Sequence, residues 1–220
     1  ERAGAHGMRQ KGGTIYREET NVPMMIVHPD VPGGRRSRGL MSAVDIAPTL
    51  LALAGKDAGW RKEHYPDLPG VDMTPLLADS DARTERDIRG HLFNYAVGYG
   101  WAPKAGQPAA VPSTDRFDLP RRRLHRGVHD GRWKFARYFA PAHHRQPRNW
   151  AELSGNNDLE LYDTHADPNE IVNLASHPDQ RRNLLRLNAM ANALIAREVG
   201  RDDGSEYPGP TEIYNRPWPG

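Results

Sequence analysis

Apolar positions along this chain fall into three kinds of pattern, and each predicts a different element. Val22 to Val27 is a short run, nearly continuous in apolar residues. It predicts a strand that is apolar on both faces, as in a parallel sheet, with Pro23 at its start, where a missing N–H does least harm. Asp45 to Ala54 is different: Ile46, Leu50, Leu53 and Ala54 recur at helical spacing. That spacing predicts a core helix packed by one face, capped by Asp45, carrying Pro48 in its first turn and stopped by Gly55. A longer stripe runs from about Pro178 to Glu198 through Leu184, Leu187, Met190 or Ala191, Leu194 and Val199. It predicts a long helix whose stripe is core packing and not a partner-binding face. The third pattern is alternation. Gly127 to Tyr138 places Val128, Trp133, Phe135 and Tyr138 around Asp130-Gly131, a strong hairpin turn, and Leu159 to Tyr162 reads as a further short strand.

Polar and turn-forming stretches separate these elements. His28 to Arg38 reads as a loop turning at Pro32-Gly33-Gly34, and Gly70 to Leu77 as a short capped helix. Arg83 to Arg89 is charged and is expected to be a solvated approach to a strand within Gly90 to Tyr99. Trp101 to Asp118, rich in Pro, Ala and Gly, predicts a loop at the boundary between a main sheet and a smaller C-terminal unit. Asp167-Pro168-Asn169-Glu170 has the form of a helix start, with a capping Asp, Pro at the first position and Glu at the third. The tail from Gly200 has no periodicity and is expected to be extended or disordered unless it docks. No internal repeat is visible.

Composition adds mainly exclusions. A chain of 220 residues can bury one substantial core, or one domain and a smaller one. Its net charge of +2 favours no particular partner. The arginines at 121, 122, 123 and 126 read as a solvated turn or as local carboxylate pairing, because a nucleic-acid surface needs basic residues spread over a face with aromatic platforms. No apolar run is long enough to span a bilayer. With no cysteine, disulfides and thiolate metal sites are absent. No signal peptide is visible, and a first residue other than Met fits a fragment or a processed chain.

Candidate chemistry lies in the glycine-rich polar loop Gly4 to Pro23, which carries His6 and Lys11 and runs into the first apolar segment. Glycines let a backbone approach a ligand closely, and a loop beside a buried strand is where α/β enzymes place reactive groups. The run Gly4-x-His6-Gly7-x-x-x-Lys11-Gly12-x-x-x-Tyr16-x-Glu18, followed by Val22-Pro23, resembles the sulfatase family of the alkaline-phosphatase-like superfamily. Val44 to Gly55 and Gly70-x-Asp72-x-x-Pro75-Leu76-Leu77 resemble family segments too. So do Arg126-x-x-x-Asp130-Gly131-Arg132-Trp133-Lys134-Phe135 and Glu160-Leu161-Tyr162-Asp163-x-x-x-Asp167-Pro168-x-Glu170-x-x-Asn173-Leu174-Ala175. Asn21 departs from the family, which often has Arg there; this leaves salt bridges from Glu18 or Glu19 in question.

The resemblance implies an α/β fold: the C-terminal part of an alkaline-phosphatase-like sandwich, with a small antiparallel sheet and a packed helix. Residues 1–118 would belong to the main domain, 119–200 to the C-terminal subdomain and 201–220 to a tail. It implies that Lys11 contacts the sulfate ester, suited to it as a compact three-donor cation. His6 would donate to a sulfate oxygen or protonate the leaving alkoxide, or else be a loop residue bonded to a backbone carbonyl. His143 and His144 would line a substrate pocket.

The family's nucleophile, a Cys or Ser in a Cys/Ser-x-Pro-x-Arg motif that is converted to an aldehyde (formylglycine), has no counterpart here. The nearest match, Ser176-His177-Pro178-Asp179-Gln180, has Gln where Arg is required, and Ser176 reads as a helix cap. The family's calcium ligands are also absent, so the chain is expected to begin just past a metal-ligand motif and to be inactive alone. The implied partner is a small-molecule or carbohydrate sulfate ester, without nucleic acid or membrane; which ester, and the oligomeric state, are not legible. Two rivals stand beside sulfate ester hydrolysis: a phosphonate or phosphodiester hydrolase of the same superfamily, and a non-catalytic degenerate homologue or binding module.

Overall fold

A four-stranded antiparallel sheet, with strands in chain order, organises the described part of the chain. The computed structural model describes residues 3–8, 13–96, 122, 124–139, 143 and 146–202. The strands are β1 (His91–Ala96), β2 (Leu124–His129), β3 (Trp133–Phe139) and β4 (Asp158–Asp163). β2 and β3 form the expected hairpin, with Gly127 opposite Ala136 and Val128 opposite Phe135. The turn is closed by Asp130, whose Oδ1 accepts from the backbone N–H groups of Arg132 and Trp133, while Gly131 takes φ 100°, a conformation that favours glycine.

Alternation gives the sheet two unlike faces. One is covered by the long helix α7 (Arg181–Glu198). Leu184, Leu187, Ala191 and Leu194 pack there on Val128, Phe135, Leu153 and Leu161, all buried. This is the stripe expected from the sequence, extended by buried Asn188 and Ile195. Each fully buried Leu contributes on the order of 2 kcal/mol through area removed from water. The other face is covered by the N-terminal loop: Ile15, fully buried, packs on Phe93, Ala136, Tyr138 and Tyr162. Gly127 lies in the middle of the hairpin, where an added Cβ would come within 2.3 Å of the Phe135 carbonyl oxygen.

Short helices fill the segment before the sheet: α1 (Arg17–Thr20), α2 (Ile46–Leu53), α3 (Ala58–His64), α4 (Pro75–Ala78) and α5 (Glu85–Arg89), with α6 (Trp150–Gly155) between β3 and β4. α3 and α6 start at side-chain caps, where Asp57 accepts from Trp60 N–H and Asn149 accepts from Glu152 N–H. Among the described residues no helix is long and apolar enough to cross a membrane.

Several sequence expectations are corrected. Residues 22–27 form no strand; Val22, Met24, Met25 and Val27 are exposed. A strand apolar on both faces needs neighbours on both sides, and none pairs with it among the described residues. α2 is present, but Ile46, Leu50 and Ala54 are exposed, and Pro48 and Thr49 are the buried positions. Asp45 does not cap α2. Its oxygens accept from Ser42 N–H and Val71 N–H and receive the Arg86 guanidinium. Residues 83–89 are not a solvated approach, because Thr84 and Asp87 form a capping box for α5 and Arg86 is wholly buried.

Arg86 also donates to Gly90 O and to Glu198, tying α5 to the end of α7. Asp167 to Glu170 is a turn and not a helix start. Asp167 Oδ2 accepts from Val172 N–H, and Glu170 adopts φ 56° with its carboxylate drawn into the sheet face. Ser176 is exposed and caps nothing; a 3-10 turn, Pro178–Gln180, leads into α7. Arg122 and Arg126 are paired with Glu160 and Asp202, the carboxylate pairing expected of the basic cluster. Residues 101–118 and the tail beyond 202 lie outside the described residues.

Candidate active site

The loop singled out for chemistry is held against the sheet between Gly13 and Thr20. His6 sits in a 3-10 turn, Ala5–Gly7, with φ 52°, a left-handed conformation uncommon outside glycine. Its ring stacks on Tyr16 at 3.7 Å with 13° between planes, and its Nε2 lies 3.6 Å from Glu18 Oε2. Glu19 accepts from both the backbone N–H and the hydroxyl of Thr14, at 2.9 and 2.7 Å. The Glu19 carboxylate, two residues before Asn21, is therefore held within the loop itself. Lys11 and His144 lie outside the described residues. His143 is half-buried with its Nδ1 enclosed and without a hydrogen-bond partner, and it does not line the cleft described below.

Two polar clusters on the sheet grip the loop at either side of Ile15. In the first, the His125 ring is hydrogen-bonded to the Gly13 backbone. Ile15 N–H donates to the Tyr138 hydroxyl at 3.2 Å, and that hydroxyl donates to Glu160 Oε2 at 2.8 Å. Arg122 pairs with Glu160 and lies over the Tyr138 ring at 4.0 Å. Burial, with the Arg126 charge beside it, pushes the His125 imidazole down to about 3, so it is neutral at any ordinary pH. Burial and the Glu160 carboxylate hold the Tyr138 hydroxyl well above its usual range.

In the second cluster, Lys134 Nζ lies 2.5 Å from Glu170 Oε1 and donates to Thr20 Oγ1 at 3.2 Å. The other Glu170 oxygen accepts from Arg17 N–H at 2.8 Å. A cleft of about 450 Å³ opens beside this pair, lined among others by Arg17, Thr20, His91 and His129. His129 is pushed down to about 4 by burial and by Lys134. His91 is also lowered, by burial and then by Arg86, and its Nδ1 lies 3.2 Å from Met41 O. Neutral imidazoles in a cleft walled by buried Lys134 can donate or accept single hydrogen bonds without adding charge.

These gripping residues were not singled out from the sequence as functional. The register of β2, β3 and β4 places His125, Lys134, Tyr138, Glu160 and Tyr162 on one face; the alternation over Gly127 to Tyr138 was legible, but nothing in it says which segment covers either face. Among the described residues no group of three or more His, Asp or Glu side chains could hold a metal ion. They do not fit the calcium that the family resemblance implies, and no step is assigned to it.

No family model matches the chain. By sequence it is similar to an arylsulfatase from Chlamydomonas reinhardtii, 26% identical over 183 residues, covering 78% of this chain and 24% of the relative. It is also similar to the low-salt glycan biosynthesis sulfotransferase Agl7 of Haloferax volcanii, 31% identical over 71 residues, 32% of this chain and 16% of the relative. The chain thus spans less than a quarter of the length of the curated relatives it matches. Among solved structures it overlaps a 2-O GAG sulfatase, BT1596, with a TM-score of 0.45 at 21% identity, covering 78% of this chain and 28% of that one. It overlaps BT4656, solved with its substrate D-glucosamine-2-N,6-O-disulfate, with a TM-score of 0.46 at 16% identity, covering 74% and 25%. The sequence resemblance is to the sulfatase family, over its C-terminal portion.

Proposed function

We propose that this chain is the part of a sulfatase that supplies charge and a proton to sulfate ester cleavage, with Lys11 contacting the sulfate and His6 beside it. The observation that carries the reading is the 183-residue likeness to an arylsulfatase, which covers 78% of the chain. Cleaving a sulfate ester requires an attacking atom on sulfur, cationic donors for the sulfonate oxygens, and a proton or cation for the departing oxygen. Lys11 suits the second task. His6 suits the third, its imidazole being able to hand a proton to a departing oxygen. The attacking atom is not in these 220 residues, which contain no cysteine and no Cys/Ser-x-Pro-x-Arg motif, so the chain alone is inactive on this reading. The substrate class proposed is a carbohydrate sulfate or a small sulfate ester, the glycan role in the name of the Haloferax relative favouring the first.

The test is hydrolysis of a chromogenic aryl sulfate by the complete gene product, beside its Lys11→Ala variant and an aryl phosphate control. Loss of a charge-stabilising donor is expected to lower turnover by about a hundred-fold or more. Turnover of the phosphate alone would move the assignment to phosphoester hydrolysis within the same superfamily. No turnover of aryl or sugar sulfates would favour a non-catalytic module.

A second reading is favoured by one observation, the sulfotransferase match at 31% identity. Here the sulfonate passes to a sugar hydroxyl instead of to water. Added sugar acceptors would then yield a new sulfated sugar in place of free sulfate, which mass spectrometry distinguishes directly.

A further inference from the structure

The cleft beside Lys134 and Glu170 is unbalanced both in charge and in hydrogen-bonding capacity. Its walls carry three cations, Arg17, Arg38 and Lys134, against a single carboxylate, Glu170. Glu170 is already engaged by Lys134 and by the Arg17 backbone N–H. Lys134 Nζ has three N–H groups and uses two of them, on Glu170 and on Thr20. The Arg17 guanidinium donates through Nη1 to Pro168 O. Arg38 is exposed and pairs with no carboxylate among the described residues.

The two histidines on its wall are held as acceptors. His91 and His129 stand opposite each other where β1 pairs with β2. His91 Nδ1 lies 3.2 Å from Met41 O, and a carbonyl can only accept, so Nδ1 carries the ring hydrogen and Nε2 presents a lone pair. His129 Nε2 lies 3.5 Å from Thr164 Oγ1, whose own hydrogen goes to Arg132 O at 2.8 Å. The ring therefore donates through Nε2, and Nδ1 presents the lone pair. Burial keeps both rings uncharged at neutral pH.

We propose that this cleft binds an anionic sugar: Arg38 and Lys134 receive its carboxylate or sulfate group, and its hydroxyls donate to the open nitrogens of His91 and His129. A bare anion would leave the imidazole lone pairs unmatched, and a neutral sugar would leave the cationic excess unanswered. A volume of about 450 Å³ suits a ligand of monosaccharide size. Cations around a concave wall focus their field into it, and hydrogen bonds to a charged oxygen are about twice as strong as neutral ones. His6 is not part of this wall, and no role for Lys11 is needed.

The 220-residue chain is titrated at neutral pH with sodium glucuronate and with galactose 6-sulfate, against glucose and sodium sulfate. Binding is read by calorimetry and by the ring resonances of His91 and His129, assigned through His91→Gln and His129→Gln. One or both sugar anions should bind saturably and move both rings, the tighter of the two naming the anionic group. Glucose and sulfate, each able to make only part of the contacts, should bind about ten-fold more weakly or worse. Arg38→Gln should weaken the sugar anions by about ten-fold or more with an unchanged urea midpoint. Arg36→Gln removes the same charge from an exposed position outside the wall and should change affinity by less than about two-fold. No saturable binding of either sugar anion overturns the proposal. So do equal losses in the two arginine variants, which mark general charge attraction, and glucose or sulfate binding as tightly as the sugar anions. No arm reads turnover, so failure of this site and failure of the Lys11 assignment are separable.

Discussion

Lys134 Nζ and Glu170 Oε1 stand 2.5 Å apart with both side chains almost wholly out of solvent, and the second Glu170 oxygen accepts from the backbone of Arg17. The pair therefore joins three segments: strand β3, the turn after β4, and the start of α1. Glu170 holds a left-handed φ of 56° to make it. Burial pulls the Lys134 ammonium below its usual range and Glu170 pulls it back. Glu170→Ala leaves a buried cation without its counter-charge and an Arg17 amide without its acceptor. It is expected to lower stability by about 3–5 kcal/mol in urea unfolding. Replacing both partners, Lys134→Met with Glu170→Leu, should recover a large part of that loss. Equal losses in the single and double variants would mean the pair's charge is not what matters.

Acid should loosen the same face. His125 and His129 titrate near 3 and 4 in the folded chain, both pushed down chiefly by burial, against about 6.5 when unfolded. Between those values the unfolded chain binds protons that the folded chain refuses, so stability rises with pH in that window. It is present in full above about pH 6.5 and is lost as pH falls toward 4 and then 3. A shift of this size at His129 alone corresponds to roughly 3 kcal/mol. Urea midpoints measured from pH 7.5 down to 4.5 should fall steadily, and His125→Gln should flatten the slope. A flat profile in the parent chain would show that these imidazoles are not buried neutral.

Two buried arginines should respond very unequally to the same substitution. Arg86 is enclosed by Asp45, Glu198 and Gly90 O, so its charges are matched and its donors used. Arg137 donates through Nη1 to Asn188 Oδ1 at 2.6 Å, but its Nε and Nη2 are buried without hydrogen-bond partners. Burial, and then the Arg126 charge, pull Arg137 down to about 10, which still leaves it charged at neutral pH. Arg86→Met strands two buried carboxylates and should cost about 3–5 kcal/mol. Arg137→Met removes an incompletely satisfied cation of similar volume and should fall within about 1 kcal/mol of the parent, on either side. Calorimetry on the two variants side by side decides it.

How much of this was legible in the sequence follows from which partner each pattern needs. The hairpin was readable because Asp130-Gly131 and its flanking alternation lie within a dozen residues. α7 was readable because its stripe of Leu184, Leu187, Ala191 and Leu194 is self-contained. Arg86 was misread as solvated because a charged run ordinarily is, and its partners Asp45 and Glu198 are 41 and 112 residues away. Asp167-Pro168-Asn169-Glu170 carried a helix-start pattern, but Glu170 is claimed by Lys134 and the Arg17 amide, and tertiary contact outweighs local propensity. The loop with His6 was flagged by composition, whereas its grip by His125 and Tyr138 depends on a sheet register that no local pattern states.

The apolar segments that failed to bury make the last prediction. Met25 and Val27 are 85% and 86% exposed, and Leu50 is 60% exposed. Exposed apolar surface of this kind favours association, since it is the burial of such area that drives it. The 220-residue chain should therefore self-associate with rising concentration, seen as a growing weight-average mass in sedimentation. Met25→Lys and Leu50→Lys should each reduce that association. Because neither side chain is packed, each should leave the urea midpoint within about 0.5 kcal/mol of the parent. A loss of 2 kcal/mol or more in Met25→Lys would instead show that residues 22–27 are packed in solution, as the strand pattern of the sequence predicts.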